Sequence, residues 1–147
     1  GYTAGPPMAV APLNKVRQVL DYALTEIAAE KLFLGVPVYG YDWPLPFREG
    51  LTRAESISPQ EALALARRYG AEIRFDETAQ APWLHYTAPD GVEHEVWFED
   101  ARSSYAKFRL AAEKGLQGVG LWNLMRPAPQ TYLVRHGGFD IEVMGEK

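Results

Sequence analysis

The fold is decided by the continuous apolar run Lys31-Leu32-Phe33-Leu34-Gly35-Val36-Pro37-Val38-Tyr39. A second run of the same kind follows later in the chain, Leu116-Gln117-Gly118-Val119-Gly120-Leu121-Trp122. Neither run alternates apolar with polar residues, and unalternating runs are typical of strands that are covered on both faces in a parallel sheet. The sequence therefore predicts two buried parallel strands, at Leu32–Tyr39 and Gly118–Trp122.

Helical patterns precede both strands, and a different kind of segment lies between them. Apolar residues recur every three or four positions from Leu13 to about Ala29, and again from Ser103 to Lys114. Between the first strand and the second helix, Ser58-Pro59-Gln60-Glu61 opens another helix with a capping box. A hairpin is expected after it, with arms Trp83–Thr87 and Val92–Phe98 and a turn at Pro89-Asp90-Gly91. Helix and strand thus alternate as in an α/β protein, with one α+β insertion.

Three regions follow from this order: a segment with one helix and one strand (1–49), an α+β insertion (50–98), and a segment with a helix, a strand and a tail (99–147). The tail alternates at 139–143 and could add a short strand. Two strands do not form a stable parallel sheet by themselves, because each leaves an unpaired edge. We therefore expect either self-association or membership of a larger barrel.

Composition excludes several classes of function. The 147 residues include 15 Lys and Arg against 19 Asp and Glu, a net charge of −4, which is not the charge pattern of a nucleic-acid binder. No stretch approaches the roughly 18 consecutive apolar residues of a membrane span. The chain has no cysteine, which excludes disulfides, thiolate metal sites and thiol nucleophiles.

The first residues, Gly1-Tyr2-Thr3-Ala4-Gly5, are an unusual start for a reading frame, and the first methionine is Met8. No signal peptide pattern is visible there. We expect a part of a longer protein. The alternative is a processed, complete domain.

Four blocks of sequence, in order, resemble the C-terminal part of the catalytic domain of glycoside hydrolase family 18. The blocks are Gly5–Pro12, Leu34–Trp43, His94–Ser103 and Gly118–Trp122, and the likeness extends from Gly5 to about Val143. Within the family, the chain is most similar to the bacterial spore-germination and cortex-lytic N-acetylglucosaminidases. The resemblance implies a (β/α)8 barrel, with Leu32–Tyr39 as its seventh strand, Gly118–Trp122 as its eighth, and the insertion between them.

The resemblance also implies a reaction. In this family the 2-acetamido oxygen of the substrate attacks the anomeric carbon, and a glutamate in a D-x-x-D-x-E motif at the end of strand four acts as the acid. This sequence contains no D-x-x-D-x-E, so we expect no catalytic residue in it. We also expect neither a cofactor nor a metal. What the chain would supply is part of a wall that binds the sugar.

Four aromatic residues are candidates for that wall. Trp122 matches the family's tryptophan beneath the reacting sugar, and Tyr39 matches a tyrosine whose hydroxyl lines the same subsite. Tyr41 and Trp43 lie on a predicted loop and are expected to extend the platform. The alternative for all four is packing, since aromatic residues at strand ends are often buried.

Other polar residues are weaker candidates. Glu99 and Asp100 resemble a catalytic pair, but Asp100 is better explained as the N-cap of the following helix. His85 and His94 lie on the two arms of the predicted hairpin, but a zinc site needs further ligands, and none is suitably spaced.

Two functions of different classes remain open. In the first, the chain is part of a glycosidase that hydrolyses an N-acetylglucosamine-containing glycan, peptidoglycan of the spore cortex in particular, in the spore coat or cortex or outside the cell. In the second, it is a non-catalytic module that binds glycan or peptidoglycan. Alone, the chain is expected to dimerise, swap domains or be marginally stable, because its sheet would lack neighbouring strands.

Overall fold

The computed structural model describes residues 2–123 and 125–138. The fold is mixed α/β, with two sheets and four α-helices among these residues, and two short 3-10 helices at Tyr2–Ala4 and Ala29–Lys31. In chain order, the elements are α1 (Leu13–Glu26), β1 (Phe33–Pro37), β2 (Gly40–Pro44), β3 (Glu55–Ile57), α2 (Pro59–Tyr69), β4 (Arg74–Asp76), β5 (Ala81–Thr87), β6 (Glu93–Trp97), α3 (Ala101–Glu113), β7 (Gly118–Trp122) and α4 (Pro129–Gly138).

The first sheet consists of β1 and β7, which run parallel with Phe33 opposite Gly118 and Pro37 opposite Trp122. This confirms the parallel pairing of the two apolar runs. On one face of the sheet, the strand residues Leu34 and Val36 pack with side chains of α1 and α3, namely Leu20, Phe108, Leu110 and Ala111. The other face is open in the described residues, where Phe33 is 65% exposed, as expected for two strands without further neighbours.

The second sheet is antiparallel and has the strand order β3-β2-β6-β5-β4. Its central hairpin, β5 and β6, is the predicted one. Helix α2 packs across one face and buries Ala62 and Ala66 against Leu84 and Val96. This helix begins as predicted, because the Ser58 hydroxyl accepts from the Glu61 backbone N–H and the Glu61 carboxylate accepts from the Ser58 N–H.

Strand β2 corrects the prediction of a loop after the first strand. Glycine and proline usually disfavour a strand, but Gly40 and Pro44 are the first and last residues of a strand that pairs with both β3 and β6. The α+β sheet therefore includes residues on the N-terminal side of the boundary expected at 49/50. Glycine is required at Gly40 by close approach, since a Cβ there would lie 2.6 Å from the Cβ of Phe98 and 2.6 Å from the carbonyl oxygen of Trp97.

Asp100 is the N-cap of α3, as predicted. The Asp100 carboxylate accepts from the backbone N–H groups of Arg102 and Ser103, and the Ser103 hydroxyl accepts from the Asp100 N–H, which completes a capping box. Helix α4 was not predicted, because Gly137-Gly138 is typical of a loop, yet both residues close its last turn. The strand expected at 139–143 lies outside the described residues.

Candidate functional site

The carboxyl ends of β1 and β7 meet at one edge of the parallel sheet. Pro37 lies opposite Trp122, and the Val38 N–H donates to the Trp122 carbonyl at 2.8 Å, which holds the two strand ends together. From this edge the chain leaves β1 through Tyr39 into β2, and leaves β7 through Asn123. In barrels built from such strands, the carboxyl ends carry the chemistry, and this edge is therefore the candidate site.

Trp122 is the most accessible aromatic residue at this edge, with 67% of its surface exposed. Its indole ring offers a large apolar surface at this edge that a ligand can cover. An indole face can cover the apolar face of a pyranose while the sugar hydroxyls still form hydrogen bonds. Its position therefore suits a sugar contact.

Tyr39, Tyr41 and Trp43 form a row of rings that leads from the strand end into the interior. Consecutive ring centroids are 5.5 Å apart, with interplanar angles of 74° and 69°, which is the edge-to-face arrangement that aromatic pairs prefer. Exposure falls along the row: Tyr39 is half-buried, Tyr41 is 8% exposed and Trp43 is fully buried.

Trp43 and Tyr41 are both buried, which favours packing over an exposed platform for these two residues. The Trp43 indole N–H donates to the carbonyl of Gly5 at 2.9 Å, so the N-terminal segment covers this part of the sheet. Alternation at Tyr39, Tyr41 and Trp43 is the sequence signal that would have revealed a strand with these three side chains on one face. The structure leaves Trp122 and Tyr39 as candidates for a sugar contact.

On the other face of β2, a buried carboxylate organises a polar network that the sequence analysis missed. Asp42 accepts from the Tyr86 hydroxyl at 2.6 Å through one oxygen and contacts His94 Nδ1 at 2.8 Å through the other. Burial, and then the hydrogen bond to Asp42, raise the pKa of Tyr86 well above its usual value. The Tyr86 ring stacks between His94 and Tyr69, with 4.6 Å between centroids on each side. These contacts link β2, β5, β6 and α2, and they therefore stabilise this sheet.

The two hairpin histidines do not face each other. His94 lies opposite Tyr86, whereas His85 lies opposite Glu95 and contacts its carboxylate at 2.9 Å. Within the described residues, no group of three or more histidine, aspartate or glutamate side chains is placed to hold a metal ion.

Glu99 is not a catalytic acid of this edge. It is fully buried and pairs with the buried Lys107 ammonium at 2.9 Å. Burial raises the pKa of the Glu99 carboxyl, and Lys107 opposes this by favouring the ionised form. Glu99 directly precedes the N-cap Asp100 and Lys107 lies within α3, so the pair ties the segment before this helix to its middle.

The fold defines a class, an α/β protein with a candidate site at the carboxyl edge of a parallel sheet. Comparison with protein families identifies it further: residues 4–126 match the model of the glycosyl hydrolases family 18, and the chain belongs to this family. This confirms the resemblance that the four sequence blocks carried. No helix of the described residues has the length and apolarity needed to cross a membrane.

Comparison with individual relatives supports the same family assignment. The chain is 48% identical to the cortical fragment-lytic enzyme of Bacillus subtilis (strain 168) over 141 residues, which are 96% of this chain and 33% of that protein. It superimposes on a crystal structure of the spore cortex-lytic enzyme SleL from Bacillus megaterium QM B1551 with a TM-score of 0.92 and 47% identity, covering 95% of this chain and 32% of the other. A chitinase from Chromobacterium violaceum ATCC 12472 gives a TM-score of 0.84 at 33% identity, with 92% and 41% covered. The chain thus spans about a third of the length of the two Bacillus relatives.

Proposed function

We propose that this chain forms the sugar-binding wall of a glycosidase that hydrolyses an N-acetylglucosamine-containing glycan, peptidoglycan of the spore cortex in particular. The observation that carries the proposal is Trp122, exposed at the carboxyl edge of the parallel sheet beside the half-buried Tyr39. In this role, Trp122 covers the apolar face of the reacting sugar, and the Tyr39 hydroxyl lies beside it. The names of the Bacillus relatives supply the choice of glycan and of location, the spore or the outside of the cell.

Catalysis would be substrate-assisted and retaining. The 2-acetamido oxygen attacks the anomeric carbon, the bond to the leaving sugar breaks as an acid protonates its oxygen, and water then opens the intermediate with retention. The sequence has no D-x-x-D-x-E motif that could supply this acid. The chain on its own would then bind the sugar without turning it over, and the acid would come from a part of the enzyme outside these 147 residues.

The open parallel sheet supports the proposal that this chain binds the sugar while another part of the enzyme supplies the acid. In the described residues, β1 and β7 have only each other as partners, and one face exposes Phe33 and Trp122. We propose that β1 and β7 are the seventh and eighth strands of a (β/α)8 barrel and that six further strands close it. If these strands are absent, the same edges favour a homodimer or a domain swap. The association of the isolated chain is tested by light scattering together with thermal unfolding. A monomer that melts cooperatively would contradict the expected homodimer or domain swap.

A chimera tests the proposed activity. This chain replaces the matching third of the Bacillus subtilis cortical fragment-lytic enzyme, and the release of reducing sugar from cortical fragments is measured for the chimera, the parent and the isolated chain. We expect turnover by the chimera and the parent, and none by the isolated chain. A chimera that folds, as judged by circular dichroism, but is inactive would contradict the proposal. If the isolated chain still binds glycan in that case, the non-catalytic binding module is the better account.

A further inference from the structure

A cavity of about 460 Å³ lies next to the candidate site, where the start of α2 faces the loop after β7. The residues that line it come from these two places, and they are Ser58, Glu61, Asn123, Met125, Arg126 and Pro127. Asn123, one of the lining residues, directly follows Trp122 in the chain. The cavity combines one cation, one anion and the apolar surface of Met125 and Pro127.

Arg126 is only loosely held within this cavity. Its Nη2 donates to the backbone carbonyl of Ser56 at 3.0 Å, while its Nη1 lies 3.5 Å from the Glu61 carboxylate. A charge-assisted pair between arginine and carboxylate is usually 2.7–2.9 Å long and often bidentate. A guanidinium carries five N–H donors, and the contacts to Ser56 and Glu61 use at most two of them. The Arg126 side chain is therefore held in place but still has N–H groups that can donate to a ligand.

The position of the Glu61 carboxylate is fixed by the capping box at the start of α2 and not by Arg126. Its carboxylate accepts from the backbone N–H of Ser58, as the N3 residue of the capping box requires. This hydrogen bond is the main reason that the pKa of Glu61 is lowered, with Arg126 contributing least. Glu61 thus stays ionised at the start of α2 whether or not Arg126 is near, and it can exchange its place on the guanidinium for another carboxylate.

We propose that Arg126 binds a carboxylate that the glycan carries, and that this contact makes the site prefer peptidoglycan over a neutral N-acetylglucosamine polymer. The proposal rests on the proposed function, because it assumes that a glycan lies on Trp122. The planar guanidinium fork matches the geometry of a carboxylate, and Met125 and Pro127 can cover the apolar part of the same substituent. Two groups offer this chemistry: the lactyl carboxylate of an unsubstituted N-acetylmuramic acid, and the carboxylate of a short peptide stem.

Calorimetry with matched sugars tests the proposal. The probes are the disaccharide of N-acetylglucosamine and N-acetylmuramic acid, its lactyl methyl ester, the same disaccharide with a single alanine in amide linkage, and N,N′-diacetylchitobiose. We expect at least one of the two sugars that carry a carboxylate, the free acid or the alanine derivative, to bind the chain about tenfold more tightly than the ester. The alanine derivative distinguishes the two sources, because its lactyl carboxyl is blocked by the amide and only the alanine carboxylate is free. If it binds more tightly than the ester, Arg126 binds the carboxylate of the stem. If it does not, Arg126 binds the lactyl carboxylate.

Variants separate carboxylate binding from a structural role. Arg126→Gln should remove the preference for the acid and leave the affinity for the ester unchanged. Glu61→Gln should increase the preference, because glutamine preserves the capping box but no longer competes for the guanidinium. Arg67→Gln, at the exposed other end of α2, is the matched control and should change nothing.

Two results would overturn the inference. In the first, the unmodified chain binds neither the free acid nor the alanine derivative more tightly than the ester. In the second, Arg126→Gln loses the same affinity for the ester as for the two carboxylates, which would indicate a structural ion pair. The neutral sugars keep the two proposals apart. If N,N′-diacetylchitobiose and the ester bind but neither the acid nor the alanine derivative binds better, only the inference about Arg126 fails. If none of the sugars binds, the proposed function fails and takes this inference with it.

Discussion

Replacing Trp122 by alanine removes the ring on which the proposed sugar contact depends, and the size of the effect follows from exposure. A tryptophan side chain offers about 250 Å². Since 67% of Trp122 is exposed, roughly 170 Å² is available, and a sugar that lies on one ring face covers about half of it. At about 25 cal/mol per Å², this burial contributes ~2 kcal/mol. We therefore expect Trp122→Ala to weaken the binding of N-acetylglucosamine oligomers about 30-fold.

The assay is calorimetric titration of N,N′,N″,N‴-tetraacetylchitotetraose into the unmodified chain, Trp122→Ala and Trp122→Phe. Phenylalanine keeps a smaller ring and should lose only part of the affinity. Tyr22→Ala is the control, because Tyr22 is an aromatic residue of α1 that is 73% exposed and lies away from the strand ends. Equal affinities of the unmodified chain and Trp122→Ala would refute the reasoning. So would an equal loss in the Tyr22→Ala control, since it would indicate a general effect on folding.

Two predictions concern stability and are checked by thermal and denaturant unfolding. Gly40→Ala should destabilise the protein by about 1–3 kcal/mol, because its Cβ would meet Phe98, whereas Gly35→Ala, with nothing within 4 Å of the new Cβ, should cost far less; equal effects would contradict this. Lys107→Met should destabilise it by about 3–5 kcal/mol near neutral pH, because Glu99 is left buried without its cation. Without Lys107 the folded-state pKa of Glu99 is raised further above the unfolded one. The loss should therefore be small below about pH 4.5, grow as the pH rises from the unfolded towards the folded pKa, and level off above it. A loss that is independent of pH would contradict the role of this pair.

Local signals explain which elements could be predicted. The starts of α2 and α3 were predictable because Ser58 with Glu61, and Asp100 with Ser103, satisfy backbone N–H groups within four residues of sequence. The parallel strands were predictable because their apolar runs are uninterrupted. In each case the interaction that decides the structure is short in sequence or visible in composition.

The errors arose where distant contacts decide the outcome. Strand β2 contains Gly40 and Pro44, which locally favour a loop, but pairing on both sides overrides this preference. The burial of Trp43 depends on Gly5, which no pattern around Trp43 reveals. The approach of Arg126 to Glu61 likewise depends on how the loop after β7 meets α2, so the cavity beside the candidate site could not be predicted from sequence.

The central claim is that a glycan lies on the carboxyl edge of the parallel sheet. The most direct measurement is a ¹H–¹⁵N spectrum of the chain during titration with tetraacetylchitotetraose, with the four indole N–H signals assigned by substitution. We predict that the Trp122 indole signal shifts most, together with the backbone signals of Tyr39 and Asn123, while the buried Trp43 indole, held by Gly5, does not move. Saturable shifts confined to the α+β sheet, or no shifts at millimolar sugar, would contradict the account.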